Sequence, residues 1–206
     1  RGHLTRVTTF LLVRHATCDP VGHRLAGRAP GVSLNDEGRA QAARLARWLA
    51  PVTVHAVYAS PLERARETAA YLAEPRGLAV RDEPAFTELH FGDWTGRAID
   101  SLANDDGWRQ FNNFRSLTRA PGGELMAEAQ LRAVTALAAL ARRHDGETVA
   151  VVSHADVLRA VVAFFAGAPL DLFLRLEISP GSVTTLALHE WGAQLRAVNA
   201  GPDPVA

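Results

Sequence analysis

Two runs of the chain constrain its fold more than any other feature. Val7–Arg14 (VTTFLLVR) and Thr148–Ser153 (TVAVVS) are β-branched and apolar. That is the pattern of a strand covered on both faces, which requires helices above and below the sheet it joins. The helices are legible. Asn35 or Asp36 caps one that runs to about Leu49, with Ala42, Leu45, Trp48 and Leu49 on one face. Ser60-Pro61-Leu62-Glu63 opens a second, with Ser at the N-cap, Pro at N1 and Glu at N3, ending near Glu74. Met126–Arg143 is a third, and a fourth holds Asp156 just inside its start and continues to Phe165. Short strands are expected over Val54–Ala59 and Leu78–Arg81, and a closing hairpin over Ser182–Glu190 and Gln194–Val198, turning at Trp191-Gly192. The alternation predicts an α/β fold: a three-layer α/β/α domain over residues 1–206 with a mainly parallel central sheet. Residues 86–125, rich in Gly, Trp, Phe and Asn, read as an irregular insertion covering the active site.

Composition removes several function classes. The formal net charge is zero, so no polyanion-binding face is indicated and no nucleic-acid partner is expected. No apolar run reaches the roughly 18 residues that cross a membrane. All 22 basic residues are Arg, which excludes a Schiff-base or P-loop lysine. The single cysteine, Cys18, permits no intrachain disulfide and agrees with a reducing, cytoplasmic setting. Arg1-Gly2-His3 reads as a trimmed or tag-derived end, which leaves a removed targeting segment open.

In a parallel sheet flanked by helices, ligands bind beyond the carboxyl ends of the strands. The residues at those ends are Arg14-His15, then Ser60 with Arg64 one turn on (Arg66 competes for the same role), then His154. Glu88 opens the segment Glu88-Leu89-His90-Phe91-Gly92-Asp93-Trp94, with Glu83, Asp93 and Glu124 as rival acids. Two guanidinium forks suit a tetrahedral dianion. A neutral imidazole can attack phosphorus in line, and a protonated one can stabilise the equatorial oxygens. A carboxyl group can protonate the leaving alkoxide and then deprotonate water. The set is sufficient for double displacement without a metal.

These residues lie in blocks that resemble the histidine phosphatase superfamily, the family of phosphoglycerate mutase and acid phosphatase. Leu12-Val13-Arg14-His15-Ala16-Thr17 is similar to its Arg-His-Gly signature, and Ser60–Ala69 to its second, phosphate-binding block. Glu88–Gly96 is similar to its proton-donor segment, and Pro121-Gly122-Gly123-Glu124 to a turn of its smaller bacterial members. Ser153–Arg159 is similar to the block that holds the second histidine. The five stand in family order and cover residues 8 to about 190. The resemblance implies that His15 is the nucleophile and becomes phosphohistidine. It implies that Arg14, Arg64 and His154 hold the phosphoryl group, that Glu88 is the general acid, and that Gly27, Arg28 and Ala155 border the substrate pocket. Ala16 in place of Gly, Thr17-Cys18, and Val21 depart from the pattern in the loop that would meet substrate.

The remaining histidines (His23, His55, His90, His144 and His189) read as structural or exposed. Cys18 with Asp19 and His23 is too sparse for a metal site, and neither metal nor cofactor is expected. Phe91, Trp94, Trp108, Phe111 and Phe114 read mainly as a minor core, with one or two facing the pocket. The expected function is hydrolysis of small phosphorylated metabolites, with features similar to α-ribazole phosphatase. Cofactor-dependent phosphoglycerate mutase and a non-catalytic phospholigand-binding domain are the alternatives; the oligomeric state is open, with a homodimer through an edge strand as one candidate assembly.

Overall fold

The computed structural model describes residues 6–203, so Arg1-Gly2-His3 lies outside the described residues. Its centre is a six-stranded sheet built from β1 (Thr8–Arg14), β2 (Ala56–Ala59), β3 (Val80–Asp82), β4 (Thr148–Ser153), β5 (Val183–His189) and β6 (Gly192–Ala200), in the order β3-β2-β4-β1-β5-β6. The first four strands in that order are mutually parallel, and β5 and β6 are antiparallel additions.

Alternate side chains of the central strands go to opposite faces, and both faces are covered. Phe10 and Leu12 of β1, with Val149 and Val151 of β4, pack under α5 (Met126–Arg143) and α6 (Ala155–Ala166) through Leu137, Leu140, Leu158 and Val161. Leu11, Val13, Ala150 and Val152 face the other way, onto Leu45 and Leu49 from α1 (Asp36–Trp48) and its end, and Ala65, Ala69 and Leu72 of α2 (Glu63–Ala73). The result is the expected three-layer α/β/α arrangement with a mainly parallel sheet. Alanines along the buried side of α2 leave no bulk between helix and sheet.

Three local expectations need correction. Ser60 is not the N-cap of α2: Leu62 holds that position without a side-chain bond, and the Ser60 hydroxyl accepts from Leu62 N–H at 3.3 Å and pairs with His154 Nε2 at 2.7 Å. Pro61 and the extended backbone of Leu62 delay the helix by two residues. The 86–125 stretch is not irregular. It holds α3 (Ile99–Ala103), α4 (Asp106–Asn113) and a 3₁₀ turn at Gly92–Trp94, and Asp105 caps α4 by accepting from Trp108 N–H. These pieces enclose a third core of Leu89, Phe91, Trp94, Leu102 and Phe111 against Met126 and Phe173. Helices of five and eight residues are too short to show a period, and Gly107 and the asparagines hide them further. The closing hairpin turns at Glu190-Trp191, with Gly192 already in β6. No helix among the described residues is long and apolar enough to cross a membrane.

Two leucines on α5 test the layering. Leu137 is fully buried in the core, whereas Leu131 is 67% exposed. Leu137→Ala is expected to cost about 2–5 kcal/mol in urea denaturation, and Leu131→Ala less than about 0.5 kcal/mol. Equal losses would contradict this packing.

Candidate active site

The register of the sheet assembles the site. Arg14 pairs with Ser153, and Ala59 pairs with Val152, so β1, β4 and β2 end side by side. The ladder continues one step past each end: His15 N–H donates to the Ser153 carbonyl at 2.9 Å, and Ser60 N–H to the Val152 carbonyl at 2.9 Å. His15, His154 and Ser60 therefore emerge at one edge. The two imidazoles meet edge to face, with ring centroids 5.1 Å apart and planes at 60°.

The proton positions on His15 follow from its partners. Nδ1 lies 2.7 Å from the Ala16 carbonyl oxygen, which can only accept, so Nδ1 carries the hydrogen. Nε2 therefore carries the lone pair, which accepts from Arg64 Nε–H at 3.3 Å. Arg64 is 2% exposed and is anchored through Nη2–H to the Gly27 carbonyl at 2.7 Å, while its Nη1 has no partner. Arg14 donates from Nη1 to the Ile178 carbonyl at 2.7 Å and leaves a buried Nε–H unpaired. His154, at the N-cap of α6, has Nε2 2.7 Å from Ser60 Oγ and a buried, unpartnered Nδ1. Arg66, the competing arginine, instead pairs with Asp82 at 2.9 Å on the surface.

Glu88 is held by the backbone around it. Its Oε1 accepts from Leu89 N–H at 2.8 Å, and its own carbonyl accepts from Arg28 Nε–H at 2.7 Å. The Glu124 carboxylate receives Arg28 and Arg132 together, which ties α5 to the Glu88 segment. That segment is also sealed to the Pro121-Gly122-Gly123 turn: Asp93 N–H donates to the Pro121 carbonyl and Glu124 N–H to that of His90. A Cβ on Gly92 would collide with the Pro121 oxygen, and one on Gly123 with the His90 oxygen, so only glycine allows the approach. Of the rival acids, Glu124 is thus spent on two arginines, Glu83 caps Ala85 N–H, and Asp93 is exposed.

A cavity of about 240 Å³ opens on this edge, bordered by Arg14, His15, Arg64, Glu88, Gly27 and Ala155 among others. His154 has no exposed surface and does not line it, touching it only through His15. Arg28 also does not border it, because its guanidinium is turned to Glu124 and the Glu88 carbonyl. Phe91 is the one aromatic of the 91–114 group that reaches the cavity, and Phe114 is exposed. A larger hollow of about 550 Å³ runs along α5 between Glu83 and Arg143 and holds neither imidazole.

Several functional positions escape a reading by sequence alone. Asp156 lines the cavity, although an acid in a first helical turn ordinarily only complements the helix dipole. Thr68 accepts from Ala16 N–H at 3.0 Å and donates to the Arg64 carbonyl, bracing the nucleophile's loop against α2. Gln41 does the same for Thr17 and Pro180. Thr68 is one helical turn beyond Arg64, which is a usable signal, whereas nothing local marks Gln41.

Burial, then the Arg64 and Arg14 charges, hold the His15 imidazole well below its ordinary range. Burial, Arg64 and His15 do the same to His154. The Glu88 carboxyl is pushed up to about 7, first by burial and then by the charge of Asp156, against the Leu89 N–H, Arg64 and Arg14. As built, the site has a neutral imidazole at His15 beside two unpaired guanidinium donors and a carboxyl that can hold or release a proton near neutrality.

A family model for the histidine phosphatase superfamily (branch 1) matches residues 10–201, and the chain belongs to that family. Phosphoserine phosphatase 1 of Hydrogenobacter thermophilus is 30% identical over 189 residues, covering 88% of this chain and 87% of the relative. Phosphoglycerate mutase-like protein 4 of Arabidopsis thaliana is 33% identical over 157 residues, covering 74% and 68%. The crystal structure of the α-ribazole phosphatase from Shigella flexneri superimposes with a TM-score of 0.83 at 27% identity, covering 96% of this chain and 99% of that one.

The opposed shifts give a stability test. An unfolded imidazole protonates below about pH 6.5, while both native imidazoles stay neutral well below that, so their contribution to stability is lost as pH falls through this range. Glu88 acts in the other direction, since its native carboxyl keeps its proton up to about 7 and an unfolded one only to about 4.3. Glu88→Gln removes that opposing contribution. Its urea midpoint is expected to fall more steeply than the wild type's between pH 7 and pH 5, and an equal or shallower fall would show that Glu88 is not protonated in the native state.

Proposed function

We propose that this chain is a phosphatase that hydrolyses monoesters of small phosphorylated metabolites through a phosphohistidine on His15. One observation carries the reading: Arg14 Nε and Arg64 Nη1 are buried without partners beside His15 on the cavity wall, and the unpartnered Nδ1 of His154 lies behind that imidazole. An unpaired buried donor costs about 1–3 kcal/mol, so two guanidinium donors at one point call for a ligand rich in acceptor oxygens. A phosphoryl group supplies them.

In the first step Nε2 attacks phosphorus, the P–O ester bond breaks, and the leaving oxygen takes the proton of Glu88. In the second, water attacks the phosphohistidine, Glu88 removes its proton, and the P–N bond breaks to release phosphate. A neutral His15 and a protonated Glu88 at the outset are the states that burial and the neighbouring charges favour. A bound dianion raises the His154 value and favours its charged form in the transition state.

Transfer to a second hydroxyl, the mutase alternative, calls for free cations to hold a second phosphate. Beyond Arg14 and Arg64, the wall offers Arg159, already committed to Asp156, Glu177 and the Leu176 carbonyl, and Arg24, which donates to Gly96. This inventory favours water as the acceptor. A cytoplasmic location suits a chain with one cysteine, buried at the cavity wall, and a homodimer would pair along β6, the nine-residue edge strand.

The test is turnover of phosphate monoesters with a base-stable, acid-labile phosphoenzyme trapped during it. His15→Ala is expected to lower kcat by about 10⁴-fold or more and abolish the trapped species. Activity is expected to survive exhaustive chelation, with a bell-shaped dependence on pH. Inactivity of the wild type over a broad ester panel would favour a phospholigand-binding domain, and isomerisation of phosphoglycerate dependent on bisphosphoglycerate would favour a mutase.

A further inference from the structure

Asp156 is a buried carboxylate that the proposed chemistry leaves unused. It stands in the first turn of α6, two residues after His154, and faces the same cavity as Glu88. Its Oδ2 accepts from Arg115 Nη1 at 2.8 Å and its Oδ1 from Arg159 Nη1 at 3.3 Å. Arg115 is itself built in. Its side chain is 3% exposed, its guanidinium lies 4.1 Å and 4.8 Å from the Phe111 and Phe173 ring centres, and Nη2 donates to Asn112 Oδ1 at 2.5 Å. Arg115 does not line the cavity, so it clamps Asp156 from outside it. Two charge-assisted bonds fix the carboxylate in place and in its ionised form.

The surroundings of Glu88 are otherwise cationic: Arg14 from β1, Arg64 from α2, Arg28 from the loop after β1, and Arg132 from α5, whose Nη2 donates to the Glu88 carbonyl. Arg28 and Arg132 are balanced by Glu124, which leaves the charges of Arg14 and Arg64 favouring loss of the Glu88 proton. Among the described residues, Asp156 is the one anion set against them on the cavity wall.

We propose that Asp156 is a positioning residue for the general acid: clamped by Arg115 and Arg159 on the wall of the same cavity, its fixed negative charge acts with burial to hold the Glu88 proton against Arg14 and Arg64. This rests on the reading of Glu88 as the acid. Burial also drives Asp156 toward protonation, but the two arginines outweigh it and hold it below the usual carboxylate range. It therefore stays charged over the pH range in which Glu88 titrates. The clamp also joins the acid to the aromatic core of α4, so the same pair that makes the charge permanent fixes where it sits.

The experiment is the pH profile of kcat/KM for β-glycerol phosphate, whose leaving group needs a proton, and p-nitrophenyl phosphate, whose leaving group does not. Asp156→Asn is expected to move the basic limb for the alkyl ester down by about one pH unit, so that its rate at pH 8 relative to pH 6 falls about fivefold. The acidic limb should stay in place, and Asp156→Glu should restore the basic one. Because the single change Asp156→Asn leaves Arg115 buried without its counter-charge, the pair variant Asp156→Asn/Arg115→Met is measured beside it and is expected to show the same shift. A basic limb unmoved in both variants overturns the proposal. Glu88→Gln separates the two layers: it should slow the alkyl ester about 10²-fold more than the aryl ester. Equal loss on both esters would remove Glu88 as the acid, and this proposal with it.

Discussion

The parallel pairing of β1 with β4 is the contact on which the site depends. With Arg14 opposite Ser153, the next residue of each strand is a histidine, and both leave the sheet at the same height. A slip by one residue would send each strand's side chains to the opposite layer and bury the wrong set. The register that keeps Phe10 and Leu12 under α5 and α6, and Leu11 and Val13 over α1 and α2, is thus the one that brings the imidazoles to 5.1 Å. Core packing and chemistry are enforced by the same alternation.

Around that pair the protein keeps a concentration of positive charge away from water. Arg14 and Arg64 are both tied by one fork to a backbone carbonyl, of Ile178 and Gly27, and withhold a second donor from any protein partner. Folding accepts unpaired buried donors here and almost nowhere else among the described residues, where only Arg115 Nε and Ser182 Oγ are in the same condition. The cost falls where a dianion would repay it, and the same charges keep the imidazoles neutral beforehand. Burial and these two charges thus act together on the imidazoles and on the cavity beside them.

Much of this was legible in the sequence, for identifiable reasons. Met126–Arg143 and Thr148–Ser153 are long or uniform enough for their pattern to set their limits, and both ends match the structure. Arg14, His15, Arg64 and His154 could be placed at one edge because each follows a strand end, where parallel topology dictates convergence. What stayed hidden depends on contacts between segments remote in the chain. Ser60 reads locally as a cap, yet it serves His154, 94 residues away. Arg28 adjoins Gly27 in sequence but turns to Glu124, 96 residues on. Asp156 resembles an ordinary first-turn acid until Arg115, 41 residues earlier, is seen to bury it. Short helices such as α3 and α4 lie below the length at which periodicity carries information, and their tertiary core decides them.

The seam between Gly92 and Gly123 has a kinetic meaning. Main chain rests directly on main chain there, with hydrogen bonds on both sides and no side chain between to yield. The strip carrying Glu88 is accordingly a wall, not a door: swinging it outward would break the seam and the Glu124 ion pairs together. Elsewhere the cavity is bordered by Pro20, Val21, Gly22, Arg24 and Leu25, and Gly22 there has open space beside it. Glu88 thus sits on a segment that cannot shift without losing main-chain hydrogen bonds and an ion-pair cluster at once.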